Sequence, residues 1–245
     1  MTRLVFARYE LLRLLRNRRF VVFSLAFPLV LFYAIAGANR HVRDLQHTGI
    51  SAPLYFMVGL AAFGTMNAVL GAGARIAAER ALGWNRQLRL TPLSARAYLG
   101  AKVVTGYLMA LVAMAVLFVA GASLGVSMAA ARWLQMAGML LIGLLPFVAL
   151  GIFVGHLVSS DSVGPAIGGT TAIFALLGGV WFPISRHGVL HLIAQALPSY
   201  WLVQAAHVGA GARGWTATGW LVVAAWTVAL AVAARWAYRR DTRRD

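Results

Sequence analysis

Two long apolar spans of this 245-residue chain are joined by a basic loop, 75-RIAAERALGWNRQLRLTPLSARAYLGAK-102. The loop concentrates charge in a chain that is otherwise apolar, since 61% of all residues are hydrophobic and only 11% are charged. A mean hydropathy of +0.76 lies outside the usual range for a soluble globular domain. The composition therefore predicts a chain whose solvent is largely lipid, and the loop is the stretch best suited to meet a soluble partner.

Apolar stretches long enough to cross a bilayer recur along the chain. A transmembrane helix needs roughly 17 to 25 apolar residues. The predicted spans cover residues 20–38, 52–74, 103–126, 133–157, 165–182 and 216–237. The sequence therefore predicts an all-α integral membrane protein with six transmembrane helices, in which residues 20–245 form one membrane domain.

The positions of the cations predict which ends of the spans face the cytoplasm. A net charge of +16 would also suit a nucleic-acid binder, so the placement of the charges has to decide. Six cations precede the first span, six lie in the loop 75–102 and five lie at or after the end of the sixth span, whereas the alternate side carries only Arg40, Arg43, Arg132, Arg186 and Arg213. This positive-inside asymmetry predicts that both termini and the loop are cytoplasmic. It also argues against nucleic acid as a partner.

Two segments outside the predicted spans are still rich in apolar residues. In residues 1–19, leucines share one helical face, which predicts an amphipathic helix on the inner membrane surface; a plain charged anchor explains them equally well. The first span imitates a cleavable signal peptide, but its long basic lead favours an uncleaved helix. Residues 183–215 predict an outer re-entrant segment broken at Pro198, because a seventh crossing would carry the C-terminal arginines outside.

Side chains that carry catalysis or bind metals are scarce. The chain has no cysteine, which excludes thiolate metal sites and a cysteine nucleophile. Gly121 to Gly125 match the G-x-S-x-G pattern, but that motif needs a strand-turn-helix context which a membrane helix does not provide. His187 and His191 have the spacing of metal ligands on a helix, yet the glutamate of H-E-x-x-H and a third ligand are missing. The sequence therefore predicts no catalytic residue and no metal site.

The chain also lacks the residues that would power transport. No acidic residue falls inside a predicted span, whereas ion-driven transporters usually need an ionisable group at membrane depth. Lys102 is the sole lysine and is followed by Val103, so no Walker A loop is present to bind ATP. If the chain takes part in active transport, another polypeptide must supply the energy, and this chain binds no cofactor itself.

The basic loop contains a short segment between two predicted breaks. Residues 75–82 continue the second helix inward, Gly83 ends it, and Thr91-Pro92 break the chain again. An exposed Trp84 with two leucines among arginines predicts contact with a soluble protein. The alternative is that the arginines only set the topology and bind anionic lipid.

Motifs in the basic loop and in the outer segment follow one another in a specific order. They are Glu79-Arg80 with Gly83, then Leu90-Thr91-Pro92-Leu93-Ser94, Tyr98 and Lys102, and later Phe182-Pro183 and Leu197-Pro198. In this order and spacing the chain resembles the type 2 permeases of ATP-binding cassette (ABC) exporters, in particular the small bacterial drug-resistance branch similar to daunorubicin exporters. With the plan of six spans, the likeness covers nearly the whole chain.

The resemblance implies a permease with a coupling helix in the first cytoplasmic loop and an outer gate in the re-entrant segment. It implies a multi-pass, non-enzymatic subunit of the bacterial cytoplasmic membrane, paired with a second copy or a related permease. Two separate ABC ATPase subunits would hold ATP and Mg. The implied coupling residues are Glu79, Arg80, Gly83, Trp84, Leu90, Thr91, Pro92 and Leu93, and the implied gate residues are Phe182, Pro183, Leu197 and Pro198.

By the same likeness, the second and fifth transmembrane helices line a path at a dimer interface. The candidate contacts combine aromatic or soft surface with hydrogen-bonding groups, and each could equally be packing: Phe63, Met66, Asn67, Thr170, Thr171 and Phe174. No charged residue lies in these spans, which favours an amphipathic drug-like or lipid-like cargo. Three alternatives stay open, namely a permease for cell-envelope lipid or polysaccharide, a membrane assembly scaffold, and an intramembrane enzyme, the last disfavoured by the lack of ionisable groups.

Overall fold

The computed structural model describes residues 25–83, 95–185 and 187–242. Within these ranges the chain forms helices and no strand, in agreement with the predicted all-α class. The helices are α1 (Phe27–Ala38), α2 (Ala52–Ala81), α3 (Ala95–Ser123), α4 (Ala130–Gly143), α5 (Leu145–Leu157), α6 (Ser160–Leu177), α7 (Val189–Gln195), α8 (Pro198–Gln204), α9 (Ala206–Gly209) and α10 (Ala217–Thr242). The predicted amphipathic helix of residues 1–19 and the segment 84–94 lie outside the described residues.

Four stretches in the described part of the chain are long and apolar enough to cross a membrane. They are α2, residues Ala97–Ser123 of α3, α4 together with α5, and residues Ala217–Asp241 of α10. Helix α1 is a shorter apolar helix, and residues 20–24 of the predicted first span lie outside the described ranges. Helix α6, the predicted fifth span, begins at Ser160 and ends at Leu177. Its polar first turn dilutes its apolar content, so the count of six spans stays a prediction.

Helix α2 is the centre of the bundle. It packs against α1, α3, α5 and α6, and nearly all of its residues from Ala52 to Gly73 are buried. Small residues make the closest contact possible, because a Cβ added at Gly73 would lie 2.1 Å from the carbonyl oxygen of Gly151 on α5. Glycines at such crossings let helix backbones approach in lipid, where the hydrophobic effect does not drive association.

Helices α4 and α5 together form one span with a break in it. Leu144 separates them, and Pro146 stands in the first turn of α5, where proline is tolerated but cannot continue the preceding helix. Helix α10 packs mainly along α5. Its other side exposes large apolar residues such as Leu221 and Val232, as expected of a helix at the edge of a bundle in lipid.

The segment between α6 and α10 folds into the short helices α7, α8 and α9. They have 7, 7 and 4 residues, and none is long enough to cross a bilayer. Pro198 stands at the start of α8, directly after the break. Helix α8 is largely buried and contacts α2, α4, α6 and α10. It therefore closes this end of the bundle.

Candidate functional site

A buried ion pair lies at the end of the bundle where α2 stops and α3 begins. The Lys102 ammonium on α3 lies 2.6 Å from one carboxylate oxygen of Glu79 on α2. The other carboxylate oxygen accepts a hydrogen bond of 2.5 Å from the Tyr98 hydroxyl. Lys102 is 0% exposed and Glu79 is 3% exposed. The two charges therefore stabilise each other in place of water, as buried charges require.

The helical repeat of α3 explains how this cluster forms. Tyr98 and Lys102 are four residues apart, so both project from one face of α3. Lys102 Nζ also lies 5.2 Å from the centre of the Tyr98 ring. Sequence reasoning counted Lys102 among the cations of the cytoplasmic loop, but the structure places it inside the protein. Two features of the sequence could have indicated this cluster: the four-residue spacing of Tyr98 and Lys102, and an acidic residue near the end of the preceding helix.

Arg80, the next residue along α2, makes a second connection at this end. Its guanidinium lies 2.5 Å from an Asp241 carboxylate oxygen near the end of α10. It also donates to the carbonyl oxygens of Gly155 at 3.1 Å and Val158 at 3.4 Å. These carbonyls are at the C-terminal end of α5, where the last carbonyl groups have no N–H partner within the helix and a cation is favoured. Arg80 therefore ties α2 to both α5 and α10.

The chain turns out of α2 immediately after these two connections. The helix ends at Ala81, and Gly83 adopts a left-handed φ of +67°. The Gly83 N–H donates to the Arg80 carbonyl oxygen at 3.0 Å. A left-handed residue after a helix is the conformation that favours glycine. The remaining predicted coupling residues, Trp84, Leu90, Thr91, Pro92 and Leu93, lie outside the described residues.

Two of the three predicted path residues on α2 are partly accessible and one is buried. We call the partly accessible side of α2, which contains Phe63 and Asn67, its accessible strip. Phe63 and Asn67, one helical turn apart, are half-buried, whereas Met66 is 0% exposed. The Phe63 ring packs 5.4 Å from the Trp181 ring, and the Asn67 side chain donates to the Phe63 carbonyl oxygen. Met66 belongs to the core of the subunit and offers no surface to a cargo in this conformation.

The predicted path residues on α6 divide in the same way. Thr170 and Phe174 are half-buried, while Thr171 is buried and its hydroxyl donates to the Ile167 carbonyl oxygen at 2.9 Å. The Phe174 ring packs 5.2 Å from Phe147. Thr171 is therefore part of the packing of the subunit, and Thr170 is the more accessible of the two threonines.

A cavity of about 770 Å³ lies at the end of the bundle remote from the ion pair. Its lining comes from residues 46–48 between α1 and α2, the start of α2, the residues after α6, the short helices α7 to α9 and the start of α10. The Tyr55 hydroxyl on α2 donates to the Gly179 carbonyl oxygen after α6, which joins two of these walls. We refer to this space as the outer cavity, after the predicted outer segment 183–215 that supplies much of its lining.

The four predicted gate residues surround this region unequally. Pro183 lines the outer cavity. Phe182 is 47% exposed, Leu197 is half-buried and Pro198 is buried. The sequence did not predict the cavity itself, because its lining residues are spread over five parts of the chain and share no motif.

Known proteins match this chain over most of its length. Residues 4–209 match the family model described as ABC-2 type transporter. The chain is also 29% identical over 207 residues to a protein of Bacillus subtilis (strain 168) that is named as a transport permease, YvfS. That alignment covers 83% of this chain and 80% of the relative. The matched range includes the ion pair and the helices that line most of the outer cavity.

Proposed function

Because this chain belongs to the ABC-2 type transporter family, we propose that it is the permease subunit of an ATP-driven exporter in the bacterial cytoplasmic membrane. Two copies of a separate ABC ATPase supply the energy by hydrolysing ATP with Mg. A second copy of this chain, or a related permease, completes the membrane part. The cargo is an amphipathic drug-like or lipid-like molecule, and the chain catalyses no reaction of its own.

The buried ion pair is the observation that carries this proposal. Glu79 and Lys102 fasten the two helices from which residues 84–94 emerge. A push on that segment by an ATPase would therefore move α2 and α3 together, because separating them would break an ion pair between two buried charges. Since α2 is the central helix and Arg80 ties it to α5 and α10, the displacement would reach the whole bundle. Such coupled movement of packed helices is a known way to switch between two packed states.

The distribution of charge on α2 supports an uncharged or amphipathic cargo. The charged residues of this helix, Arg75, Glu79 and Arg80, all lie in its last two turns. The accessible strip lies nearer the start of α2, where Phe63 offers an aromatic face and Asn67 offers an amide. A site with mostly apolar surface and a few polar groups suits a ligand of mixed polarity.

The experiment that tests the proposal measures ATP hydrolysis by the reconstituted complex. The chain is purified with the ATPase that accompanies it, placed in proteoliposomes and titrated with amphipathic compounds. We expect Trp84→Ala combined with Leu90→Ala to abolish cargo-stimulated hydrolysis while insertion of the chain stays normal. Trp236→Ala is the matched control, because Trp236 is an exposed tryptophan in the last turns of α10 and lies outside the coupling segment.

Two results would contradict the proposal. Unchanged stimulation in the Trp84 and Leu90 double variant would remove the coupling role of the segment. Transport by the purified chain without any ATPase would show that the energy does not come from a partner.

A further inference from the structure

Neutral polar groups and aromatic rings line the outer cavity. Its lining includes the amides of Gln195 and Gln204, the hydroxyls of Thr216 and Thr218, and the rings of Tyr200 and Trp215. Among the described residues, its lining contains no Asp, Glu, Lys or Arg. At about 770 Å³ the cavity is as large as a site for a small organic ligand. The lining also contains His47, His191 and His207, so its titratable side chains are imidazoles and the tyrosine hydroxyls.

The buried nitrogen atoms at this cavity include two that form no hydrogen bond with the described residues. They are Nε1 of Trp215 and Nδ1 of His191. The indole N–H is a donor only, and Trp215 is 8% exposed. Nε2 of His191 lies 2.9 Å from the amide nitrogen of Gln195, and the histidine tautomer that matches this contact has its proton on Nδ1. Both atoms are therefore donors, and a buried donor favours a ligand that brings an acceptor.

The aromatic rings at the cavity are held in fixed orientations. The Tyr200 ring packs edge-on at 5.3 Å from Trp201 and at 5.8 Å from His191. The Trp201 indole donates to the Gln195 carbonyl oxygen at 2.9 Å, and the Trp215 ring packs 5.0 Å from Trp220. Rigid rings offer flat apolar faces with little loss of side-chain entropy on binding.

A sugar ring combines the chemistry that these two features require. Its faces carry C–H groups that pack on aromatic rings, and its rim carries oxygen acceptors and hydroxyls that pair with donors and amides. A purely apolar ligand would leave both donors unmet. A metal ion is not favoured, because the described residues contain no group of three His, Asp or Glu side chains arranged to hold one.

We infer that the outer cavity binds a neutral sugar group carried by the transported amphiphile. The inference rests on the proposed function, since it names the class of cargo, and the apolar part of that cargo would remain among the transmembrane helices. The same sugar chemistry occurs on glycolipids and on soluble glycosides, and the binding experiment distinguishes these two sources.

The test measures binding to the full chain in phosphatidylcholine nanodiscs without the ATPase. The probes are octyl β-glucoside and octyl dimethylamine oxide, which share one chain length and are used below their micelle-forming concentrations. We expect the glucoside to bind at least about tenfold more tightly by isothermal titration, since only it meets several polar groups. Competition by glucosyl diacylglycerol in the nanodisc would identify a lipid cargo, and absence of competition would identify a soluble glycoside.

A pair of tryptophan variants assigns the binding to the outer cavity. Trp215→Phe removes the unmet N–H donor and keeps most of the ring, so we expect glucoside affinity to fall about fivefold. Trp236→Phe is the control, because Trp236 is 51% exposed on α10 and is not part of the cavity lining. Thr218→Val, which removes one lining hydroxyl, serves as a second variant if Trp215→Phe folds poorly.

Two outcomes would overturn the inference. They are equal affinity for the two octyl probes, and a glucoside affinity that neither Trp215→Phe nor Thr218→Val changes. Either outcome, obtained together with normal cargo-stimulated ATP hydrolysis in the complex, would refute sugar binding and leave the proposed transport function standing. Loss of cargo-stimulated ATP hydrolysis with intact glucoside binding would instead refute the proposed transport function and leave sugar binding standing.

Discussion

Replacing Lys102 with methionine would remove the ammonium of the buried ion pair and keep most of its apolar stem. The ammonium lies 2.6 Å from Glu79, so at an effective dielectric constant of about 20 the lost attraction is about 6 kcal/mol. Relaxation returns part of this energy, and breaking a buried pair typically costs about 3 to 5 kcal/mol. We expect a loss of that size in the free energy of unfolding, because the buried Glu79 carboxylate would lose the ammonium beside it and keep the Tyr98 hydroxyl, a weaker neutral donor.

Removing both charges together should cost far less than the two single changes. Glu79→Gln alone removes the carboxylate that lies 2.6 Å from the buried Lys102 ammonium, so we expect a loss similar to that of Lys102→Met. In the double variant no charge remains, and the glutamine oxygen still accepts the Tyr98 hydroxyl. We expect the double variant to lose only about 1 to 2 kcal/mol, so the two single effects are strongly non-additive.

The cycle is measured by unfolding the full chain with sodium dodecyl sulfate in mixed micelles, followed by tryptophan fluorescence. Arg43→Met is the control, because Arg43 is exposed at the other end of the bundle and surface changes usually stay within about 0.5 kcal/mol. If the double variant loses the sum of the two single losses to within about 0.5 kcal/mol, the charges do not stabilise each other and the explanation is wrong.

Three further predictions concern a helix crossing, the end of α10 and the accessible strip of α2. Gly73→Ala should lower stability by about 1 to 3 kcal/mol, because its Cβ would lie 2.1 Å from a backbone oxygen. Gly168→Ala, which meets nothing within 4 Å, should be neutral or stabilising by about 1 kcal/mol; thermal unfolding that ranks these two the other way would contradict the packing. Arg80→Gln should speed amide hydrogen exchange in the last turn of α10 and leave mid-α3 unchanged, and equal exchange in both proteins would argue against the connection. Asn67→Leu should change the ratio of ATPase stimulation by two different amphiphiles, whereas Met66→Leu, buried in the core, should not.

Local properties of the sequence were enough to predict the helical membrane class and several helix ends. The lengths of the apolar stretches predict helices that need lipid, because each such helix satisfies its backbone hydrogen bonds internally. Gly83 and Pro198 mark chain breaks through their own backbone preferences, and both stand at breaks in the structure. The order of motifs around Glu79 and Lys102 indicated the transporter family that the family match shows.

The partners of each side chain could not be predicted in the same way. In the sequence Lys102 is one of several cations in a basic loop, and only the packing of α2 against α3 buries it. Met66 and Thr171 were predicted to line the path, but both are buried within the bundle.

The sequence by itself determined where helices form and which ends are basic, since apolar length and charge act locally along the chain. Only the tertiary structure decided the ion pair, the Arg80 connection to Asp241 and the outer cavity. Each of these depends on how helices distant in sequence rotate against one another, and close packing selects that rotation for the bundle as a whole.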